Sequence, residues 1–330
     1  MSTLRAGLIG IGMMGKNHAR VLSNLENVDF VGVVDPLKSP GVSISNNGIK
    51  IYSELSDLIS QKLDYCVIAA PTGFHKEIAV EVLNSGINCL IEKPVATDID
   101  SAIEIQKVAI KNSLVVGIGH IERYNAAMRQ LKARIVNGEL GEIYQISSRR
   151  QGPFPSRIAD VGVVRDLATH DIDLTMWLTG SKYKSLSAQT SSKANREFED
   201  LVSVTGRLQN NTIINMLVNW LSPLKERNIV VTGEKGAFRV DTLTSDLTLY
   251  TNGTHTISQD VVSHFKGVSE GDVTKFSFEK PEPLLIEHQN FRDNLLGKNS
   301  EIVSIEEGIE VIKISDAIIK SGNNGKSIEF

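Results

Sequence analysis

The chain has 330 residues, 41 % of them hydrophobic and 22 % charged, a balance that supports two folded domains and excludes a disordered polymer. Lysine and arginine number 35 against 39 aspartate and glutamate, so the net charge is −4 and no global positive field draws the chain to nucleic acid or to an anionic membrane. No run approaches the ~20 consecutive apolar residues that cross a bilayer. The two cysteines, Cys66 and Cys89, sit in apolar strand-like runs and read as buried thiols of a reducing, cytoplasmic compartment, with no disulfide framework and no metal site expected.

The first predicted element is an apolar strand, Leu4 to Gly10, running into Gly10-Ile11-Gly12-Met13-Met14-Gly15. A helix-like segment follows from Lys16 to Leu25, then a second apolar strand from Phe30 to Val34 that ends in Asp35, twenty residues beyond Gly15. In this context Gly-x-Gly-x-x-Gly is the dinucleotide-binding fingerprint. The first glycine permits a tight turn, the second lets the backbone approach a pyrophosphate, and the third lets helix and strand close on each other. Met13 and Met14 lie in that turn, where unpaired helix N–H groups receive the pyrophosphate. A carboxylate at Asp35 accepts hydrogen bonds from both ribose hydroxyls and repels a 2′-phosphate, which predicts NAD over NADP. Pro36 to Gly48 breaks the rhythm: it is turn-rich and too short for a crossover helix, so a loop borders the adenine side.

Strands at Ile49 to Tyr52, Leu63 to Ala70, Ile87 to Ile91 and Leu114 to Ile118 then alternate with helical spacing, as in Ile78, Val82 and Leu83. This is the βαβ rhythm of a doubly wound parallel sheet, whose ligands lie outside the carboxyl ends of the strands. Those ends carry Ala70-Pro71-Thr72-Gly73-Phe74-His75, Glu92-Lys93-Pro94, and Gly119-His120 followed by Arg123, Tyr124 and Asn125. Ala70, Pro71, Thr72, His75, Glu92, Lys93 and Pro94 are expected on the cofactor, and Arg123, Tyr124 and Asn125 on the substrate. Lys93 is also the strongest catalytic candidate. Pro94 biases it toward an extended conformation, and an ammonium at that point lowers the pKa of a substrate hydroxyl and stabilises the alkoxide. The competing reading is a surface lysine paired with Glu92.

Beyond about residue 140 the pattern changes to period-two alternation, at Ile143 to Arg149, Leu201 to Leu208, Thr212 to Asn219, Asn228 to Thr232 and Ala237 to Val240, with a hairpin turn at Gly233 to Gly236. Helices are expected at Asp166 to Leu178, Glu287 to Leu296 and Ile305 to Ile319. The expected fold is therefore α/β plus α+β. A Rossmann doubly wound parallel sheet occupies 1–120. An open, mostly antiparallel sheet with helices on one face occupies 121–330, and the C-terminal helix packs back on the first domain.

Within the second region, Asp166, His170 and Asp173 share one face of a helix by their spacing. A histidine is a proton acceptor near neutrality, and a neighbouring carboxylate orients its ring. The alternative is an acid-rich first turn with His170 as a satisfied polar side chain. Arg149, Arg150, Arg157 and Arg165 form a local basic run that either clamps a phosphate or diphosphate or pairs with nearby acids. Trp177, Met176 and Trp220 read as core.

With the glycine loop, Asp35, Glu92-Lys93-Pro94, Gly119-His120 and Asp166-x-x-x-His170 in this order, the chain resembles the Gfo/Idh/MocA oxidoreductase family over essentially its whole length. The resemblance implies that Lys93 and His170 act on a sugar-like secondary alcohol, that Asp166 orients His170, and that a cis proline follows Lys93. The stretch from Arg150 to Asp173 looks most like the UDP-N-acetylglucosamine 3-dehydrogenase branch, which agrees with substrate contacts from Arg150 and Arg157. The expected activity is oxidation by NAD of a ring secondary alcohol, at C3 of a UDP-linked N-acetyl amino sugar. An inositol or free-sugar dehydrogenase is the alternative among enzymes, and a non-catalytic dinucleotide sensor the alternative outside them. The resemblance also implies association through the open face of the second sheet, as in many relatives, so a homo-oligomer, dimer or tetramer, is expected.

Overall fold

A computed structural model describes residues 3–35, 49–155, 161–194, 197–253 and 269–330. The loop expected at Pro36 to Gly48 and the substrate contact expected of Arg157 lie outside the described residues. In chain order the helices are α1 (Met13–Leu22), α2 (Leu55–Ile59), α3 (His75–Asn84), α4 (Ile99–Lys111), α5 (Ala126–Val136), α6 (Thr169–Thr179), α7 (Pro283–Leu295) and α8 (Ile305–Asn324).

The chain divides into two units. Unit 1 combines Met1–Tyr124 with Pro281–Lys313, so residues 121–124 and 281–313, expected with the second domain, belong to the first. Its strands are β1 (Leu4–Ile9), β2 (Val28–Val34), β3 (Ile51–Tyr52), β4 (Tyr65–Ile68), β5 (Asn88–Glu92) and β6 (Val116–Gly119). All pair in parallel, in the order β3-β2-β1-β4-β5-β6 of a Rossmann sheet. Such strands are apolar on both sides because helices cover both faces. Ile9, Ile68, Ile91 and Ile118 point to one face, against Leu58, Ile78, Val82, Leu83 and Ile105 of α2, α3 and α4. Leu8, Val67 and Leu90 point to the other, against Ala19 and Leu22 of α1 and Phe291 of α7. Phe291 explains why α7 belongs here: it lies edge-on to Tyr65 with ring centroids 5.4 Å apart, and a Cβ on Gly117 would stand 2.9 Å from its ring. The helix start at α8 closes on itself, with the Ser304 amide donating to Glu307 Oε2 at 2.9 Å and the Glu307 amide to Ser304 Oγ at 3.3 Å, a capping box.

Unit 2 comprises Asn125–Lys280 and Ile314–Phe330. Its nine strands are β7 (Ile143–Pro153), β8 (Tyr183–Ser191), β9 (Leu201–Leu208), β10 (Ile213–Asn219), β11 (Leu221–Gly233), β12 (Gly236–Asp241), β13 (Asp246–Asn252), β14 (Glu270–Lys275) and β15 (Ile328–Glu329). They run in the order β14-β13-β12-β11-β7-β10-β9-β8-β15, and every neighbouring pair is antiparallel except β7 with β10. Val202, Val204 and Leu208 of β9 turn inward while Ser203, Thr205 and Arg207 stay exposed, as one-sided burial requires. β8, β13, β14 and β15 were not expected from the sequence. β14 is exposed at every residue and β8 mixes lysine, serine and glutamine, so neither carries the apolar alternation that marks a strand.

Candidate active site

In unit 1 the glycine loop leaves β1 with Gly10 at φ +96°, and the Gly10 amide donates to the Val34 carbonyl at 2.8 Å. That bond ties the loop to the end of β2, where Asp35 stands half-buried. A Cβ on Gly10 would come within 2.7 Å of the Ala69 and Ala70 main chain, and one on Gly15 would collide with the Gly10 carbonyl. A Cβ on Gly12 would meet nothing within 4 Å. Gly10 and Gly15 thus serve the fold, while Gly12 keeps the face beside the α1 N-terminus clear. That helix start has no side-chain cap and no acid in its first turn, so its amides and its dipole favour an anion. Cleared backbone, uncapped amides and the Asp35 carboxylate together fit NAD, with groups suited to a pyrophosphate and a ribose. Met13 beside it is exposed and Met14 half-buried.

At the end of β5, Glu92 is buried and Lys93 half-buried, and the Lys93–Pro94 bond is cis. Glu92 Oε2 accepts from the Lys93 amide at 3.2 Å, and Glu92 Oε1 lies 2.9 Å from His18 Nε2 of α1. Burial alone would raise the Glu92 carboxyl, but the hydrogen bond from His18 and the charge of Lys93 outweigh it and hold the group below the usual range. His75 is buried between two carbonyls, with Nε2 2.8 Å from Ala70 O and Nδ1 3.0 Å from Pro94 O. Burial lowers its pKa against the pull of those carbonyls. Its ring braces the loop after β4 against Pro94, whereas the sequence placed it on the cofactor. Pro71 and Phe74 are exposed in that loop, Thr72 is half-buried and Ala70 is buried.

Three residues expected on the substrate are occupied elsewhere. The Arg123 guanidinium is buried and donates to Glu307 Oε1 at 2.7 Å, and the Tyr124 hydroxyl donates to the Glu301 carbonyl at 3.3 Å, both within unit 1. In unit 2, Asn125 caps α5 by accepting from the Ala127 amide at 3.0 Å, and its Nδ2 donates to Thr242 O and Ser245 Oγ, each at 3.1 Å. These polar side chains follow a strand end, but their bonds go to other parts of the protein, to a carboxylate, a hydroxyl and backbone groups.

Also in unit 2, Asp166 and His170 occupy consecutive segments, a π-helical turn over Val164–Ala168 and then α6. The sequence predicted one α-helix from Asp166. The wider turn shifts Asp166 out of α-helical phase with Asp173, and such insertions recur at functional sites. Asp166 is buried and His170, in the first turn of α6, is half-buried. Asp173, also buried, lies on the inner side of α6. Asp171 takes the arginine: Arg150 Nε donates to Asp171 Oδ2 at 2.9 Å with both side chains buried. Arg165 Nη2 lies 2.7 Å from Asp316 Oδ1, and Arg149 is exposed 3.9 Å from Glu226. The described arginines of the run therefore each face a carboxylate. Trp177 and Trp220 are buried, as expected of core residues.

Sequence reading missed a buried polar cluster in unit 1. His18 Nδ1 lies 2.8 Å from His288 Nε2, and Glu287 on the same helix as His288 is buried with neither carboxyl oxygen hydrogen-bonded among the described residues. Burial and the nearby Glu92 charge raise the Glu287 pKa well above the usual carboxyl range, and burial with the neighbouring His18 lowers that of His288. The available signal was His18, at helical spacing after Gly15 on the inward face of α1.

Among the described residues no helix is long and apolar enough to cross a membrane, and no group of three or more His, Cys, Asp or Glu side chains could hold a metal ion. The fold and its glycine loop define a protein of the dinucleotide-binding class. Family models agree: residues 4–159 match the oxidoreductase family with NAD-binding Rossmann fold, and residues 128–239 match the GFO/IDH/MocA C-terminal domain. The chain belongs to the Gfo/Idh/MocA oxidoreductase family, whose NAD-dependent members act on CH–OH groups of sugars.

Among relatives, it is 27 % identical to UDP-N-acetylglucosamine 3-dehydrogenase of Acidithiobacillus ferrooxidans over 258 residues, 78 % of this chain and 80 % of that one. It is 29 % identical to inositol 2-dehydrogenase of Salmonella agona over 255 residues, 74 % of this chain and 75 % of that one. The solved structure of the Acidithiobacillus ferrooxidans enzyme has the same fold, with a TM-score of 0.85 at 24 % identity over 97 % of this chain and 98 % of the other. So does the WlbA dehydrogenase from Bordetella pertussis, solved with NADH and UDP-GlcNAcA, at a TM-score of 0.81 and 23 % identity over 100 % of this chain and 98 % of that one.

Proposed function

We propose that this NAD-dependent dehydrogenase oxidises a ring secondary alcohol of a nucleotide sugar, at C3 of a UDP-linked N-acetyl amino sugar. The observation that carries the reading is the 27 % identity to the UDP-N-acetylglucosamine 3-dehydrogenase across 78 % of the chain. Bound NAD supplies the hydride acceptor. The chain supplies the acid-base groups: His170 takes the hydroxyl proton, Asp166 orients the imidazole and supports its charge as the proton arrives, and Lys93 stabilises the developing alkoxide. Arg150 is a weaker candidate for the diphosphate than its sequence position implied, because Asp171 neutralises it. Arg157 remains the arginine assigned to the diphosphate.

The reading extends to a cytoplasmic homo-oligomer joined through the solvent face of the second sheet, where Tyr250 and Val273 are exposed cross-strand neighbours. Light scattering on the purified protein checks that part.

The deciding experiment mixes the purified protein with NAD and either UDP-N-acetylglucosamine or myo-inositol and follows NADH absorbance. Turnover with the nucleotide sugar and none with the cyclitol is expected. Turnover with myo-inositol alone replaces this reading with an inositol dehydrogenase, and none with either, or with a wider panel of sugars, revives a dinucleotide sensor. A Lys93→Ala variant that kept wild-type turnover would sink the mechanism.

A further inference from the structure

The buried cluster behind Lys93 has an order to its hydrogen bonds. His288 Nε2 and His18 Nδ1 are 2.8 Å apart, His18 Nε2 and Glu92 Oε1 are 2.9 Å apart, and Glu92 Oε2 accepts from the Lys93 amide at 3.2 Å. Three separate elements contribute: α7, α1 and the end of β5. Glu92 accepts from His18, so His18 Nε2 carries a proton. His288 Nδ1 has no partner among the described residues. A buried N–H without an acceptor is rarer and costlier than a bare acceptor, so the His288 proton sits on Nε2 and donates to His18 Nδ1. Every bond in the chain then has one donor, and all point toward Glu92. Among the described residues the series of bonds ends at His288, an arrangement that suits holding a carboxylate in place.

Behind it Glu287 is buried beside the same cluster with no hydrogen-bond partner among the described residues, and burial together with the Glu92 charge favours its protonated form. The cluster therefore presents one fixed carboxylate to the turn from which Lys93 projects. The Cβ that Gly119 lacks would stand 3.3 Å from Glu92 Oε2, so β6 closes the remaining side.

We propose that His18, backed by His288, is a positioning residue for Lys93: through Glu92 it fixes the main chain that aims the lysine at the substrate hydroxyl. This rests on the reading that Lys93 acts on that hydroxyl. Misplacing a reacting group by an ångström costs about a hundredfold in rate, so a loosened turn is read in the chemical step and not in NAD binding.

The test compares His18→Leu, which removes both ring nitrogens at similar volume, with His18→Gln, whose amide can still donate to Glu92. With UDP-N-acetylglucosamine deuterated at C3, His18→Leu is expected to lose about tenfold or more in kcat. Its primary isotope effect should exceed that of the wild type and its KM for NAD should stay within about twofold, while His18→Gln recovers most of the rate. A substrate-independent readout runs beside it: the rate at which trinitrobenzenesulfonate modifies Lys93, followed by peptide mass spectrometry. His18→Leu should change that rate more than about threefold and His18→Gln should restore it, with the exposed Lys107 unaffected in both. If both variants keep the wild-type isotope effect and Lys93 reactivity, with only the yield of folded protein reduced, His18 is structural and the proposal falls. If wild-type protein leaves NAD unreduced with UDP-N-acetylglucosamine, the substrate reading fails and the Lys93 reactivity alone decides the role of His18.

Discussion

Arg150 Nε donates to Asp171 Oδ2 at 2.9 Å, and the two side chains are 3 % and 1 % exposed. Arg150 comes from β7 and Asp171 from the first turn of α6, so the pair pins the helix that carries His170 to the sheet. Removing one partner of a buried pair leaves an uncompensated charge and costs about 3–5 kcal/mol. Asp171→Ala should therefore lower stability by that amount in denaturant titration, and the double variant Arg150→Met with Asp171→Leu should recover most of it. A single variant as stable as wild type would mean that water or other groups carry the guanidinium.

The two kinds of glycine in the loop should separate fold from cofactor. Gly15→Val drives a side chain into the Gly10 carbonyl and is expected to yield little folded protein, whereas Gly12→Val enters open space. The Gly12 variant should keep the wild-type melting temperature and lose at least about tenfold in NAD affinity, or 1.4 kcal/mol. Fluorescence titration with NADH and a thermal melt read both. Unchanged affinity in folded Gly12→Val protein would remove the pyrophosphate from this face.

Most of unit 1 was legible because its signals are local. A glycine run between an apolar strand and a helix, an acid at the next strand end, and a lysine fixed by Pro94 are each readable within a few residues. Long-range pairing was not. Arg123, Tyr124, Asn125 and Arg150 look like a binding surface in one dimension, yet their partners Glu307, Glu301, Thr242 and Asp171 lie 21 to 184 residues away. Burial turns such residues from contacts for a ligand into braces, and no spacing rule reports burial by a distant segment. The π-helical turn at Asp166 was hidden for a related reason, since hydrophobic spacing fixes the face of a regular helix and carries no mark of one inserted residue.

Phe291 is the residue by which α7 completes the first sheet, lying against Tyr65 and over Gly117. Phe291→Ala should cost about 3–5 kcal/mol, since it opens a cavity in a fully buried cluster. Because β1, β4 and α1 line the same cluster, NAD binding is expected to weaken along with stability. A variant destabilised by less than about 1 kcal/mol would show that α7 is dispensable to unit 1.

Glu287 and His288 are neighbours whose protonation opposes each other's pH limits. The folded pKa of Glu287 is raised by burial and by Glu92, so the native state keeps a proton that the unfolded chain releases above about pH 4.3. Its contribution is fully present below that value and is lost as pH rises toward the folded pKa. His288 is lowered by burial and by His18, so its contribution is fully present above about pH 6.5 and is lost as pH falls. Glu287→Gln keeps the shape without the ionisable proton. Its melting temperature should exceed that of wild type at pH 8 by more than at pH 5, flattening the alkaline side while the acid side, set by His288, stays. Melting curves of the two proteins that run parallel from pH 5 to pH 8 would show that Glu287 titrates alike in folded and unfolded chains, and the single-carboxylate arrangement behind Lys93 would have to be abandoned.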